Sequence, residues 1–372
     1  MTEILAYLQE HTSEILTDIE RLARLESPSG NRDRINRVQD INQEWFGAFG
    51  QVRRHSHELG DILHVRVPGE SPARAVFLAH MDTVYPVGSW KDLWRVEGER
   101  AFGPGTYDMK AGAVQALWAF RAAQRLGIKL KPTIDLLLTA DEETGSEASR
   151  QLIEELAAGA QAVLVLEAPS MDGDLKIARK GVGDYSIRVI GKAAHQGTEP
   201  ENGRNAIVSA AHLIRELEEL QDKKKGTTLG PNMIHGGTAS NVVAENAALN
   251  VDVRFWDVSE ATRVDAALRA LKPLEGTRYE IAGGLNRPPM EPSDGTMRLL
   301  EKAQTLAHAL GFEVGAARVG GASDGNFTSH LAPTLDGFGA VGAHAHQRDE
   351  EYIHIPSLAP RTALLAGMMT TS

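Results

Sequence analysis

Along the first half of the chain, short apolar runs stop abruptly at histidine or acidic residues, and stretches of helical periodicity separate them. Ile15, Leu16, Ile19, Leu22 and Leu25 recur at spacings of three and four, which predicts an amphipathic helix. Ser27-Pro28-Ser29-Gly30 ends it. Residues 75–79 form a continuous apolar run, as in a strand buried on both faces, and it stops at His80-Met81-Asp82. Over 111–126, Val114, Leu117, Trp118 and Ala122 fall on one side of an Ala-rich helix, with Gly127 as its C′ residue. A second strand over 133–138 runs into Asp141-Glu142-Glu143-Thr144-Gly145, and Ser146 is placed to cap a helix reaching Leu156. A third strand, 162–166, ends in Glu167.

Strand, acidic loop and helix in alternation predict an α/β fold, a mostly parallel sheet flanked by helices. In such sheets ligands bind beyond the carboxyl ends of the strands, where these His, Asp and Glu residues fall. The texture changes near Ala178. Residues 184–190 alternate, with Tyr185, Ile187 and Val189 on one face, and a helix follows over 205–220. The run Asp222-Lys223-Lys224-Lys225 reads as a solvated turn. Residues 247–255 alternate again, and 264–271 reads as a second helix. This pattern predicts a small α+β module whose sheet has one exposed face. Pro288-Pro289 and Pro292 mark the return, and helices over 296–310 and 357–369 rejoin the first domain. The expected organisation is therefore a domain in two parts, 1–178 and 289–372, interrupted by an insert over 179–288.

The length of 372 residues agrees with about two domains. Thirteen histidines and no cysteine exclude disulfide scaffolds, thiol nucleophiles and Cys-ligated metals, so any metal is held by imidazole and carboxylate. With 39 basic against 50 acidic residues, the net charge of −11 argues against a nucleic-acid partner. The acidic, amphipathic N-terminus has no apolar core of a signal peptide. No uncharged run approaches the roughly 18 residues of a membrane span. A cytoplasmic protein without a membrane partner is the expectation.

Five groups suit a two-metal site: His80, Asp108, Glu143, Glu167 and one of His344 or His346. Imidazole together with carboxylate suits zinc. One bridging carboxylate would give each metal about three protein ligands, and ions about 3.5–4 Å apart can clamp both nucleophile and oxyanion. Asp82, two residues past His80, returns to the same side of an extended strand end and can accept from the ring nitrogen facing away from the metal. In Glu142-Glu143 one carboxylate can bind metal while the other works as general base. Each of these residues alone is no more than a packed histidine or a solvated acid; what joins them is their placement at strand ends and Gly-rich loops of one sheet. No G-x-S-x-G elbow supports a serine triad. Neither Gly181-Val-Gly183 nor the glycines at 320 have dinucleotide-binding spacing.

Four motifs, His80-Met-Asp-Thr-Val84, Gly103-Pro-Gly-Thr-Tyr-Asp-Met-Lys-Ala-Gly112, Asp141-Glu-Glu-Thr-Gly-Ser146 and Glu167-Ala-Pro169, resemble successive motifs of a di-zinc exopeptidase family. That family (metallopeptidase family twenty) holds the aminoacylases, acetylornithine deacetylase, succinyl-diaminopimelate desuccinylase and the bacterial glutamate carboxypeptidases. The likeness is nearest to the last branch. The resemblance implies two Zn²⁺ per chain, with Co²⁺ or Mn²⁺ able to substitute. His80 and Glu167 would bind one, Glu143 and a C-terminal histidine the other, and Asp108 would bridge. It implies Glu142 as general base, Asp82 as the orienting group, and a cis peptide at Asp108–Met109. Counting back from Glu351-Tyr352 puts His346, rather than His344, in the ligand register. Ala111 departs from the family, which usually has glycine there. Gly191-Lys-Ala-Ala-His195 resembles a motif of the family's lid and dimerisation domain, whose histidine donates to the oxyanion across a homodimer. Asn241, Arg254, Arg318 and Gly321 match or neighbour groups that hold a substrate carboxylate, a task that suits the arginine fork. The implied activity is hydrolysis of an amide bond next to a free carboxylate, in a small peptide or N-acyl amino acid. An N-acyl-amino-acid deacylase is the alternative. Retention of Glu142 speaks against a binding protein that has lost catalysis.

Overall fold

A computed structural model describes residues 1–371, which form two compact units: Met1–Ala178 with Glu291–Val319 and the chain from Ser323 onward, and Arg179–Met290 with Gly320–Ala322. The first is an α/β unit around an eight-stranded sheet. At its centre Ser71–His80 lies parallel to Pro132–Thr139 on one side and Ala162–Val165 on the other, and Thr334–Asp336 continues the parallel set. Ile62–Val67 joins antiparallel at one flank and Leu175–Arg179 at the other.

Alternate side chains of the central strands enter two cores. Phe77, Ala79, Leu136 and Leu138 pack with the helices Thr2–Glu10, Thr12–Ala23, Ala111–Arg125 and Leu358–Thr370. Val76, Leu78, Leu137 and Val163 pack with Ile153, Leu156 and Phe327 on the other face. Burial on both faces is why these strands are mainly apolar, with Asp135 the charged exception in Pro132–Thr139. Ala111–Arg125 is buried nearly all round, and its alanines permit close approach to the sheet. At Gly112 the approach is closest: a Cβ there would sit 2.1 Å from the Leu166 carbonyl oxygen, so glycine is required. Ala111 beside it is wholly buried, so its methyl group is accommodated.

The register aligns the functional ends. His80 pairs with Thr139 and Leu78 with Val165, so His80, the 141–145 loop and Glu167 emerge at one edge of the sheet. A small sheet of the same unit joins Tyr352–His354 to Arg100–Phe102 and so brings the loop before residue 352 beside the loop after residue 102.

Some local expectations are corrected. Ser146 does not cap a helix: at φ 59 it turns its hydroxyl into Asp324, 2.5 Å away, and the helix begins at Arg150. The helix Arg32–Phe46 was not expected, because Gln39 and Asn42 occupy two of its buried positions and interrupt the apolar stripe.

In the second unit Tyr185, Ile187 and Val189 of Gly181–Ile190 face the helices Ala206–Leu220 and Val258–Ala270. The latter is longer than the periodicity suggested, because Asp257 caps it by accepting from the Glu260 N–H. The sheet is antiparallel with four strands, in the order Thr228–Gly236, Asn246–Phe255, Gly181–Ile190, Arg278–Arg287. Its two outer strands escaped the sequence pattern: Gly230-Pro231 and Gly283-Gly284 dilute their β character. The lysine turn is anchored rather than merely solvated. Lys225 Nζ lies 2.7 Å from Oε1 of the buried Glu260, which also accepts from Thr227 and Arg263. No described helix is long and apolar enough to cross a membrane.

Candidate metal centre

His80 ends its strand with the ring buried, and its two nitrogens face different partners. Nδ1 is 3.1 Å from the Asp82 carbonyl oxygen and 3.4 Å from that residue's carboxylate. Nε2 is 3.1 Å from Asp108 Oδ1 and 3.4 Å from Glu167 Oε1. A ring that donates Nδ1–H to Asp82 leaves the Nε2 lone pair for a metal. On the far side, His346 Nε2 is 3.2 Å from Asp108 Oδ2 and 3.3 Å from Glu143 Oε2. Asp108 thus offers one oxygen to each histidine, which sorts the set into two groups sharing that carboxylate. His80, Asp108 and Glu143 present ligand atoms within 4.8 Å of one another. The Asp108–Met109 peptide is cis.

Of the histidine doublet, His346 enters the cluster. His344 turns its Nδ1 to Gln347 Oε1 at 3.1 Å, against the Tyr352 ring. Both histidines adopt positive φ, 66° and 64°, so one tight turn separates their directions.

The electrostatics show what this cluster asks for. Hydrogen bonds to Asp108 and Glu143 push His346 up to about 10. Burial opposes protonation of His80, but Asp108, Asp82 and Glu167 raise it well above the ordinary histidine range. Burial also acts on Asp108, yet the two imidazoles hold it below the usual carboxylate range. Glu143, buried and beside the Asp108 charge, is raised to about 7 despite its bond to His346. Three crowded carboxylates draw positive charge to this point. Divalent cations bound to the two Nε2 atoms and the carboxylates meet that need, and a nitrogen–oxygen set without sulfur suits zinc.

Asp82 does more than face His80. It accepts from Ser29 Oγ at 2.7 Å and from the backbone N–H groups of Glu142 at 3.2 Å and Glu143 at 3.3 Å. One buried carboxylate therefore fixes both the His80 ring and the turn Glu142–Thr144. Beside Glu143 opens a cleft of about 810 Å³ lined in part by Ser29, Asn31, Val84, Val87 and Thr144. Glu351 is a further buried carboxylate, hydrogen-bonded to the Asp108 segment, which in the sequence served only to fix the register of His346.

In the second unit, Gln196 N–H donates to the Asn241 carbonyl at 2.9 Å and His195 bridges to Val242, so the His195 and Asn241 segments lie together. His195 is exposed, and its Nδ1 accepts from the Gly197 N–H at 3.1 Å. In a neutral imidazole that bond puts the ring proton on Nε2. Arg254 grips Asp252, with Nε–Oδ1 and Nη2–Oδ2 both 2.8 Å. The Gly321 carbonyl accepts from Arg179 at 3.0 Å. Arg318, in the first unit, lies exposed on Ala316–Val319.

Residues 76–371 match the pattern of Peptidase family M20/M25/M40. The chain is 29% identical over 369 residues to Carboxypeptidase G2 of Pseudomonas sp. (strain RS-16), covering 95% of this chain and 88% of that protein. It is 30% identical over 307 residues to succinyl-diaminopimelate desuccinylase of Azoarcus sp. (strain BH72), covering 76% and 79%. Its fold is similar to that of an M20 family metallo-carboxypeptidase from Sulfolobus solfataricus, with a TM-score of 0.77, 16% identity and coverage of 96% and 98%. A tripeptidase from Staphylococcus aureus gives a TM-score of 0.79 at 22% identity, with the same coverage of 96% and 98%.

Proposed function

The chain belongs to peptidase family M20/M25/M40 and is thus a hydrolase, a metallo-exopeptidase or related amidohydrolase, and we propose that it cleaves an amide bond next to a free carboxylate as a zinc-dependent, glutamate-carboxypeptidase-like enzyme. The observation that carries this reading is the sharing of Asp108, with Oδ1 3.1 Å from His80 and Oδ2 3.2 Å from His346. In this reading His80 and Glu167 would hold one zinc, His346 and Glu143 the other, with Asp108 shared between them. When bound, the metals supply Lewis-acid polarisation of the scissile carbonyl and a water acidic enough to react at neutral pH.

The chain's own groups do the rest. Glu142 takes the proton of the attacking water and returns it to the leaving nitrogen. His195 donates from Nε2 to the oxyanion, supplied from a partner subunit in a homodimer formed through the inserted unit, and the protein works in the cytoplasm. Asn241, Arg318 and Gly321 serve the substrate's carboxylate. Arg254 would have to release Asp252 before it could grip with both arms.

The likeness to desuccinylases favours, as a second reading, a small acyl group on a free amino acid. A panel of N-acyl amino acids and dipeptides, scored by kcat/KM with zinc present, decides between the two. Preference for peptide-like groups on the acyl side supports the carboxypeptidase, and preference for acetyl or succinyl supports the deacylase. Active protein with fewer than about two metal ions per chain would sink the dinuclear arrangement.

Two substitutions follow from the geometry. His346→Ala should lose metal and activity while His344→Ala keeps both; the reverse result moves the ligand to His344. His195→Ala should lower kcat by about 10²–10³-fold with metal content unchanged, the effect of removing one oxyanion donor. A strictly monomeric form with full activity would show that His195 does not act across a dimer.

A further inference from the structure

Glu351 touches three segments that each bear part of the cluster. Its side chain is wholly buried. Oε1 accepts two consecutive backbone N–H groups, Tyr107 at 2.8 Å and Asp108 at 3.1 Å. Oε2 accepts the Tyr85 hydroxyl at 2.6 Å. Tyr85 lies shortly after His80, and Glu351 closes the turn that carries His346, with its own N–H on the Gln347 carbonyl at 3.1 Å.

The Asp108 segment needs such an anchor. Within the one-turn segment Thr106–Lys110, Asp108 (φ −122°, ψ 90°) and Met109 (φ −138°, ψ 33°) leave helical geometry. Tyr107 and Asp108 point their N–H groups at the Glu351 carboxylate, and a buried N–H without an acceptor is costly. Burying a carboxylate is costly too, and here three donors meet it. No part of Glu351 is exposed to solvent.

We propose that Glu351 is a positioning residue: by accepting both N–H groups it holds the Asp108 carboxylate where its two oxygens serve both metals, and it ties that segment to the His346 turn. The inference rests on the bridging reading of Asp108 made above.

The test uses full-length, metal-free protein titrated with Co²⁺, whose visible absorption reports coordination geometry, alongside Zn²⁺ affinity, kcat and KM. E351A should weaken affinity for at least one ion by about 10–100-fold, alter the cobalt spectrum, and lower kcat more than it raises KM. E351Q keeps one oxygen for the two N–H groups and should restore most of the affinity and the spectrum. E351D, drawn back by one methylene, should fall between them and serves where E351A folds poorly. Wild-type affinity and spectrum in E351A or E351D overturn the proposal, as does an E351Q as impaired as the alanine variant while equally folded. Wild-type protein that takes up no cobalt overturns the metal-binding reading itself.

Discussion

Glu142→Gln should lower kcat by about 10²–10⁴-fold, the worth of a positioned general base, with metal content and KM little changed. The backbone geometry makes this a clean test. Asp82 holds the turn through the backbone N–H groups of Glu142 and Glu143, and Glu142→Gln leaves both of those groups in place. Glutamine keeps the size but gives up the negative charge and the ability to take a proton. An interaction made only on the way to the transition state lowers kcat and kcat/KM together. Glu143→Gln, by contrast, should fail in metal binding first, because Glu143 contacts His346 at 3.3 Å. If Glu142→Gln keeps kcat within tenfold of wild type with its metal bound, another group is the base.

What the sequence disclosed and what it hid divide along a physical line. Residues 75–79 were legible as a strand because burial on both faces demands apolar side chains throughout, residues 133–138 because only Thr133 and Asp135 interrupt such a run, and the residues that follow both stand out by contrast. His80, Glu143 and Glu167 could therefore be placed at one sheet edge before any coordinates. His346 needed the spacing to Glu351 as well as its own chemistry. The partners that hold these groups were not legible. Glu351 meets Asp108 across 243 residues of chain, and Asp324 meets Ser146 across 178. Such pairs leave no periodicity, and one end of the first is backbone, which has no letter in a sequence. Asp82 shows the same limit: its spacing to His80 suggested an orienting role, but its bonds to the Glu142 and Glu143 amides required the fold. Arg254 matches a carboxylate-holding group of the family, and pattern alone could not show Asp252, two residues away on the same strand, filling its fork.

Asp135 lies in the middle of the strand Pro132–Thr139, and its carboxylate is wholly buried, so Asp135→Asn should be among the most destabilising single changes in the first unit. His64 Nε2 lies 2.7 Å from Oδ1, Arg66 binds both oxygens at 2.8 and 3.0 Å, and Arg74 adds a contact at 3.4 Å. Arg66 stands directly opposite Asp135 in the sheet register, so the group is built in by strand pairing. Removing one partner of a buried pair costs about 3–5 kcal/mol, and the lower end applies because Arg66 and Arg74 keep access to water. Burial alone would raise the Asp135 pKa, but the bonds from His64 and Arg66 hold it well below the usual carboxylate range. A pKa lower in the folded than in the unfolded state gives stability that is present above the unfolded value, about 3.9, and fades as pH falls below it. The gap between wild type and Asp135→Asn should therefore be full at pH 7 and narrow steadily from about pH 4 downward. Denaturant midpoints of metal-free protein, followed by tryptophan fluorescence, measure it; Trp45, Trp90, Trp94 and Trp118 lie in this unit and only Trp256 in the other. A gap as wide at pH 3 as at pH 7 would mean that the aspartate contributes through shape and packing, and that its charge contributes nothing to the fold.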